Sequence, residues 1–202
     1  MRDSVREDGG MAVEPRSGQL HPARYVASSN CDDRPPGVVP QLIVVHGISL
    51  PPGRYGGPWI EQLFTNRLDP RAHPYFATTA TLRVSAHLLI RRDGECLQFV
   101  PFHRRAWHAG RSCWFGREAC NDFSIGIELE GDDDSPYTDA QYCRLVVACA
   151  ALLRAYSTLS QDAIVGHCDV APGRKTDPGP FFDWPRFRGL LARVGQDGSR
   201  HS

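Results

Sequence analysis

Three residues combine a type and a setting suited to metal chemistry. His46 stands where the apolar run 41–45 (QLIVV) meets a Gly/Pro-rich loop, His167 ends a second short apolar piece (AIVG), and Asp177 lies ten residues further on, in RKTDPGP. Two imidazoles and one carboxylate can hold a zinc ion with its fourth position open to water. Nitrogen and oxygen donors also admit iron or cobalt. The HExxH helix of many metalloproteases is absent, so the set rests on types and settings alone. The plainer alternative stands beside it: a histidine at a strand end often serves the fold through hydrogen bonds.

A metal-activated water needs a carboxylate to take its proton. Glu128 lies in FSIGIELE, where Phe123, Ile125, Ile127 and Leu129 share one face and Ser124, Gly126, Glu128 and Glu130 the other. Glu128 reads either as a general base beside small residues that leave room for substrate or as part of a solvated strand face. Glu130 reads as solvated. Lys175, two residues before Asp177, is a candidate for steadying an oxyanion, or a plain surface charge. Arg174 could grip a substrate carboxylate through its planar fork. Trp107, in RAWHAG, offers a flat apolar wall for a sugar or peptide groove, or packs in the core. His87, inside LRVSAHLLI, reads as a structural histidine. Cys168 neighbours His167, but adjacent residues on an extended chain point apart, so it reads as an inert thiol. GxSxG, Walker and GxGxxG motifs are absent.

Elements that would position these residues follow from pattern. A buried strand is expected at 41–45, and Pro58 opens a helix carrying Trp59, Ile60, Leu63 and Phe64. Residues 82–90 and 96–100 read as a hairpin about an Asp-Gly turn, and 123–130 as a further strand. The capping box T-D-A-Q begins a helix at Thr138 whose stripe runs through Tyr142, Leu145, Val146, Cys149, Leu152, Leu153 and Tyr156. Asp183 caps a last helix with Trp184, Phe187, Leu190 and Leu191. Interleaved strands and helices make an α/β domain, and the hairpin makes its sheet mixed. One domain over 21–191 is expected, with 1–20 a flexible extension and 192–202 a flexible tail.

Composition narrows the function. The 202 residues carry 23 Lys+Arg and 23 Asp+Glu, with 41% hydrophobic and 23% charged residues. This is a globular profile without the basic excess of a nucleic-acid binder, so no nucleic-acid partner is expected. No apolar run reaches the roughly 18 residues of a membrane span, and the N-terminus lacks a signal-peptide core. Seven cysteines without a CxxC pair read as free thiols in a reducing cytoplasm.

The segments LIVVHGISLPPGRYGGPWIEQLF, HPYF, LRVSAHLLIRRDGE, RAWHAG, CNDFSIGIELEG, YTDAQY, GHCDVAPGRKTDPGP and FDWPRF resemble, in order and from about residue 24 to 191, the AmpD family of cytoplasmic N-acetyl-anhydromuramyl-L-alanine amidases. More distantly they resemble phage amidases and peptidoglycan-recognition proteins. The resemblance implies a mixed central sheet flanked by helices, zinc on His46, His167 and Asp177, Glu128 polarising the attacking water and Lys175 steadying the oxyanion. Tyr75, Arg83 and Trp107 match positions associated with the substrate groove or its support. The implied reaction cuts the amide between the lactyl group of 1,6-anhydro-N-acetylmuramic acid and L-alanine, in cytoplasmic recycling of cell-wall fragments. In bacteria with an inducible β-lactamase this also keeps the lactamase gene quiet. The implied partner is the anhydro-muropeptide substrate, with no membrane and no obligate protein partner. A non-catalytic module that binds or senses peptidoglycan fragments is the alternative. Two positions depart from the family pattern: Gly47, where Asn is expected, and Ala119, where Arg is expected.

Overall fold

A computed structural model describes residues 10–198. Strands β1 (Ala12–Glu14) and β2 (Gln19–His21) form an antiparallel pair, and β3 (Arg24–Tyr25) and β4 (Cys31–Asp33) follow. Then come β5 (Leu42–Ile48), α1 (Trp59–Phe64), α2 (Phe76–Thr79), β6 (Leu88–Ile90), β7 (Cys96–Gln98) and β8 (Arg104–Ala106). The chain continues through β9 (Cys113–Trp114), β10 (Arg117–Glu118), β11 (Ser124–Glu130), α3 (Asp139–Ala155), β12 (Ile164–Gly166), α4 (His167–Val170) and α5 (Trp184–Gly198). The central sheet has the order β12-β5-β11-β6-β7-β3. Pairing is parallel from β12 through β6, antiparallel between β6 and β7, and parallel again between β7 and β3. The mixed sheet expected from the hairpin is therefore present.

Alternation along β5 and β11 decides what faces where. Ile43 and Val45, with Ile125, Ile127 and Leu129, join the core under α3 and α5, where they meet Tyr142, Leu145, Val146, Cys149, Leu152, Phe187 and Leu191. Residues of the other parity face away: Leu42 and Val44 enter a smaller core with Ala109, Phe123 and Val165. His46 and Glu128 have this second parity, and they stand directly opposite each other in register. Period two thus puts both on one face. At the start of α3 the Thr138 hydroxyl accepts from the Gln141 amide at 3.2 Å, and the Gln141 side chain accepts from the Thr138 amide at 3.1 Å. This is the expected capping box.

Four expectations need correction. The chain from Met11 onward is no flexible extension: β1 and β2 form a hairpin, and Met11 and Leu20 are buried in the main core. Its backbone is tied down by buried Gln98, which accepts from Leu20 N at 2.7 Å and donates to Gly18 O at 3.0 Å. Residues 1–9 lie outside the described residues. At the other end α5 continues through the expected tail as far as Gly198, with Val194 packed on the core; residues 199–202 lie outside the description. The expected strand 82–90 is regular only over Leu88–Ile90, because Leu82 and its neighbours are exposed and the first buried residues are Ser85 and Ala86. Glu130, read as solvated, is 1% exposed. It accepts from the amides of Gly56 (2.7 Å) and Arg92 (3.2 Å) and pairs with Arg91 at 3.6 Å.

If the hairpin is part of the domain, Met11→Ala or Leu20→Ala will each lower unfolding free energy by about 2–5 kcal/mol. Urea denaturation measures this, and unchanged midpoints would restore the flexible extension.

Candidate metal centre

Parallel pairing brings the first two candidate ligands together. In β12, Gly166 is the register partner of Val45, so His167, just past the end of β12, and His46, still within β5, come side by side toward the carboxyl edge where α/β sheets bind ligands. Asp177 is carried back to them by a bond from Cys168 N to Asp177 O at 3.0 Å. His46 Nδ1 and His167 Nδ1 are 3.0 Å apart. Asp177 Oδ2 lies 3.0 Å from His167 Nδ1 and 3.2 Å from His46 Nδ1. Donors on one tetrahedral zinc, with bonds of about 2.0–2.1 Å, stand about 3.3 Å apart. Three donors so close, two of them nearly inaccessible imidazoles, fit a divalent metal.

The remaining ring nitrogens also have partners. His167 Nε2 donates to Ala109 O at 3.3 Å, and His46 Nε2 lies 2.9 Å from His108 Nδ1. His108 attracted no role from sequence, since nothing in RAWHAG marks it as meeting a residue 62 positions away. Burial, opposed by Asp177, lowers His46 to about 4. His108 falls well below its usual value, first through burial and then through the neighbouring His46. Asp177 goes the other way: burial would raise its carboxyl, but hydrogen bonds from His167 and His46 outweigh that and hold it well below the usual range.

Glu128 is 8% exposed, and its Oε2 is buried without a hydrogen-bond partner. Burial above all, then the charge of Asp177, pushes its carboxyl well above the usual value, while Lys175 acts in the opposite direction. A buried carboxyl with a free oxygen is poised to exchange a proton. The small residues on its strand face do not open room for substrate, as the sequence suggested. They seat a ring: a Cβ at Gly126 would collide with His108, and Ser124 Oγ is 3.2 Å from His108 Nε2.

These groups line a cavity of about 600 Å³ whose walls include Tyr75, Trp107, Arg174 and Lys175. Tyr75 is 45% exposed there. The indole of Trp107 donates to Asp32 Oδ1 at 3.1 Å, and Asp32 is itself paired with Arg105. Arg174 Nη2 is engaged by Ala109 O (2.6 Å) and Arg111 O (2.8 Å), so its fork is partly committed to the protein. Arg83 is exposed and does not line this cavity. His87 is structural, as expected: it accepts from Gly126 N through Nδ1 at 3.0 Å and donates through Nε2 to Arg104 O at 3.1 Å. A larger cleft of about 770 Å³ lies beside Arg24, Tyr55, Glu61, Arg91 and Glu95. Four of its charged groups pair with one another, Arg24–Glu61 (2.8 Å), Arg24–Glu95 (3.2 Å) and Arg91–Glu95 (3.0 Å), while Arg92, also in its wall, keeps a buried Nη1 without a partner.

The two departures have structural settings. A Cβ at Gly47 would collide with the hydroxyl of Tyr137, which donates to Pro178 O at 2.8 Å. An asparagine there would require Tyr137 to move. Ala119 has φ 58°, unusual for a residue with a Cβ, and lines a separate cavity with Gly110, Arg111, Ser112 and Arg174. Nearby, Arg117 bonds Gln41 Oε1 at 2.7 Å and stacks over Phe123.

Two imidazoles and a carboxylate that open on a cavity, against an unpartnered carboxyl, suit metal-assisted hydrolysis. The family comparison agrees: the model for N-acetylmuramoyl-L-alanine amidases matches residues 35–180, and the chain belongs to that family. It is 61% identical over 178 residues to the 1,6-anhydro-N-acetylmuramyl-L-alanine amidase AmpD of Salmonella typhimurium (strain SL1344), covering 88% of this chain and 95% of that protein. Superposition on the crystal structure of a selenomethionine AmpD derivative gives a TM-score of 0.84 at 60% identity, covering 87% of this chain and 97% of that one. A more distant match is Escherichia coli AmiD, solved with the substrate anhydro-N-acetylmuramic acid-L-Ala-D-γ-Glu-L-Lys. Its TM-score is 0.56 at 25% identity, over 90% of this chain and 65% of that one.

Stability of the metal-free protein should depend on pH in a defined direction. His46 titrates near 4 when folded against its ordinary 6.5. Between those limits the unfolded chain binds more protons, and stability rises with pH. Buried His87 and His108 act the same way, while raised Glu128 opposes them. Urea midpoints of chelator-treated protein will therefore fall as pH drops from about 6.5 toward about 4, and fall more steeply in Glu128→Gln. A flat profile would mean that these imidazoles are not held neutral.

Proposed function

We propose that the chain hydrolyses the amide joining the lactyl group of 1,6-anhydro-N-acetylmuramic acid to L-alanine of the stem peptide, with zinc on His46, His167 and Asp177. The observation that carries this reading is the convergence of Nδ1, Nδ1 and Oδ2 within 3.0–3.2 Å beside the unpartnered Oε2 of Glu128. The 61% identity to a protein named for that bond supports the choice of substrate. Membership of an amidase family supports hydrolysis over silent binding or sensing.

A metal held by the three donors supplies Lewis acidity, polarising the amide carbonyl and making water easier to deprotonate. The chain's own groups do the rest. Glu128 takes a proton from the water as its oxygen bonds to the lactyl carbonyl carbon. Lys175, at the cavity wall, places positive charge near the oxygen that becomes anionic. As the carbon–nitrogen bond breaks, Glu128 gives the proton to the alanine nitrogen, and the products are the lactyl carboxylic acid and a free peptide amine. Trp107, held by Asp32, and Tyr75 offer flat surfaces to the sugar or peptide. Arg174 and Arg83 are the weaker members of this set. Arg174 has Nη1 left for a substrate carboxylate, and Arg83 would act from outside the cavity wall.

We infer a cytoplasmic setting in cell-wall recycling. All seven cysteines are unpaired, which fits a reducing compartment. Among the described residues no helix is long and apolar enough to cross a membrane.

The test is incubation with anhydromuramyl-tripeptide, with products read by mass spectrometry, on protein as purified, stripped by chelator and reloaded with zinc. Free tripeptide and free anhydro-sugar should appear, vanish on stripping and return with zinc. An intact fragment with zinc loaded would favour the binding module. Asp177→Ala should lose metal and turnover together, as three protein ligands become two. Glu128→Ala should keep stoichiometric metal yet lose about 10²–10⁴ in kcat; a near-wild-type rate would remove it as base. Lys175→Ala should lower kcat on the order of a hundredfold, and an unchanged kcat would make it a surface charge.

A further inference from the structure

We propose that His108 is a positioning residue for His46, accepting its Nε2–H and so holding the Nδ1 lone pair toward His167 and Asp177. The inference rests on the metal reading above and goes beyond it, to a residue outside the ligand set.

The geometry around His108 is specific. Its Nδ1 is 2.9 Å from His46 Nε2, and the two rings meet edge-on, 87° apart, with centroids at 4.9 Å. For Nδ1 of His46 to offer a lone pair, its proton must sit on Nε2, and that proton needs an acceptor. His108 Nδ1 is in place to accept it. The proton of His108 then sits on Nε2, which is 3.2 Å from Ser124 Oγ. With that proton on His46 Nε2, the tautomers of the two rings are linked, and the Ser124 hydroxyl is in place to accept from His108 Nε2.

The surrounding chain holds the ring in this position. Asn121 Oδ1 accepts from the backbone amides of His108 (3.1 Å) and Ala109 (2.8 Å), pinning the segment that carries it. Gly126, on β11 beneath the ring, has no side chain, and a Cβ there would collide with the imidazole. Ala109, the next residue, presents the carbonyl that accepts from His167 Nε2. Two consecutive residues therefore orient both imidazole ligands, one through a side chain and one through a backbone oxygen.

The test is zinc affinity, measured by competition with a chromogenic chelator, for wild type, His108→Leu and His108→Asn. Leucine fills space without an acceptor, and asparagine puts an oxygen where Nδ1 stood. His108→Leu should bind zinc about 10–100-fold more weakly, and His108→Asn should recover most of that loss. Equal affinity in His108→Leu, or an asparagine variant as weak as leucine, would reduce His108 to packing. A second measurement needs no variant. In zinc-loaded wild type the His46 Nε2–H should give a proton resonance protected from solvent exchange, with a nuclear Overhauser contact to His108. Rapid exchange of that proton would overturn the inference even if His108→Leu fails to fold. Wild type that binds no zinc would instead overturn the metal reading and this inference with it, an outcome distinct from a change confined to the variants.

Discussion

Two imidazole nitrogens held 3.0 Å apart, each within 3.2 Å of Asp177 Oδ2, are the constraint on which the site depends. Left free, such nitrogens would turn apart or share a proton. Burial discourages the proton, as the lowered value of His46 records, and the chain prevents the turning. The parallel pairs β12–β5 and β5–β11 fix where His46 and His167 emerge. Ala109 O and His108 take up the outward-facing ring nitrogens, and the loop after α4 returns Asp177 to both. The result is a set of two imidazoles and one carboxylate that a cation completes. That ordering is expensive in conformational entropy, so it is built on strands whose neighbours are almost wholly buried.

Much of this was legible because it follows from short-range rules. The parity of β11 put Glu128 opposite an apolar face, the capping box located α3, and histidines at strand ends before Gly/Pro loops marked the ligands. What the sequence could not display was register. Nothing local says that Glu128 stands opposite His46, or that β12 lies beside β5. Register also hid His108: its role depends on Gly126 and Ser124 from another strand, and those small residues looked like space for substrate. Glu130 misled for the same reason, since its partners lie at Gly56, Arg91 and Arg92. The N-terminal hairpin escaped notice because it contributes little apolar surface of its own, Met11 and Leu20 chiefly, and has its backbone satisfied by Gln98 from the far side of the chain.

The two larger cavities show why size alone does not locate function. The larger cleft carries many charges, but Arg24, Arg91, Glu61 and Glu95 neutralise one another at 2.8–3.2 Å. The field of those four groups is largely cancelled before a ligand meets it. The smaller cavity leaves its key groups incomplete: the ligand nitrogens face one another, and Glu128 keeps a buried oxygen without a partner. Groups left unsatisfied in a folded protein cost stability, and they persist most readily where something else completes them.

One cause, removal from water, explains the opposite behaviour of the site's acid and bases. Burial disfavours charge of either sign, so it lowers His46 and His108 and raises Glu128. Neutral imidazoles are what a metal requires. A protonated carboxyl is not what a general base requires. The raised Glu128 therefore has to be returned toward its ionised form by positive charge, and Lys175 already acts in that direction. A cation on the three donors adds to it, because the negative charge of Asp177, which now helps to raise Glu128, would be offset at its source. Asp177 and Glu128 are thus coupled through the same buried electrostatics. The burial that lowers His46 and His108 is the same burial that raises Glu128.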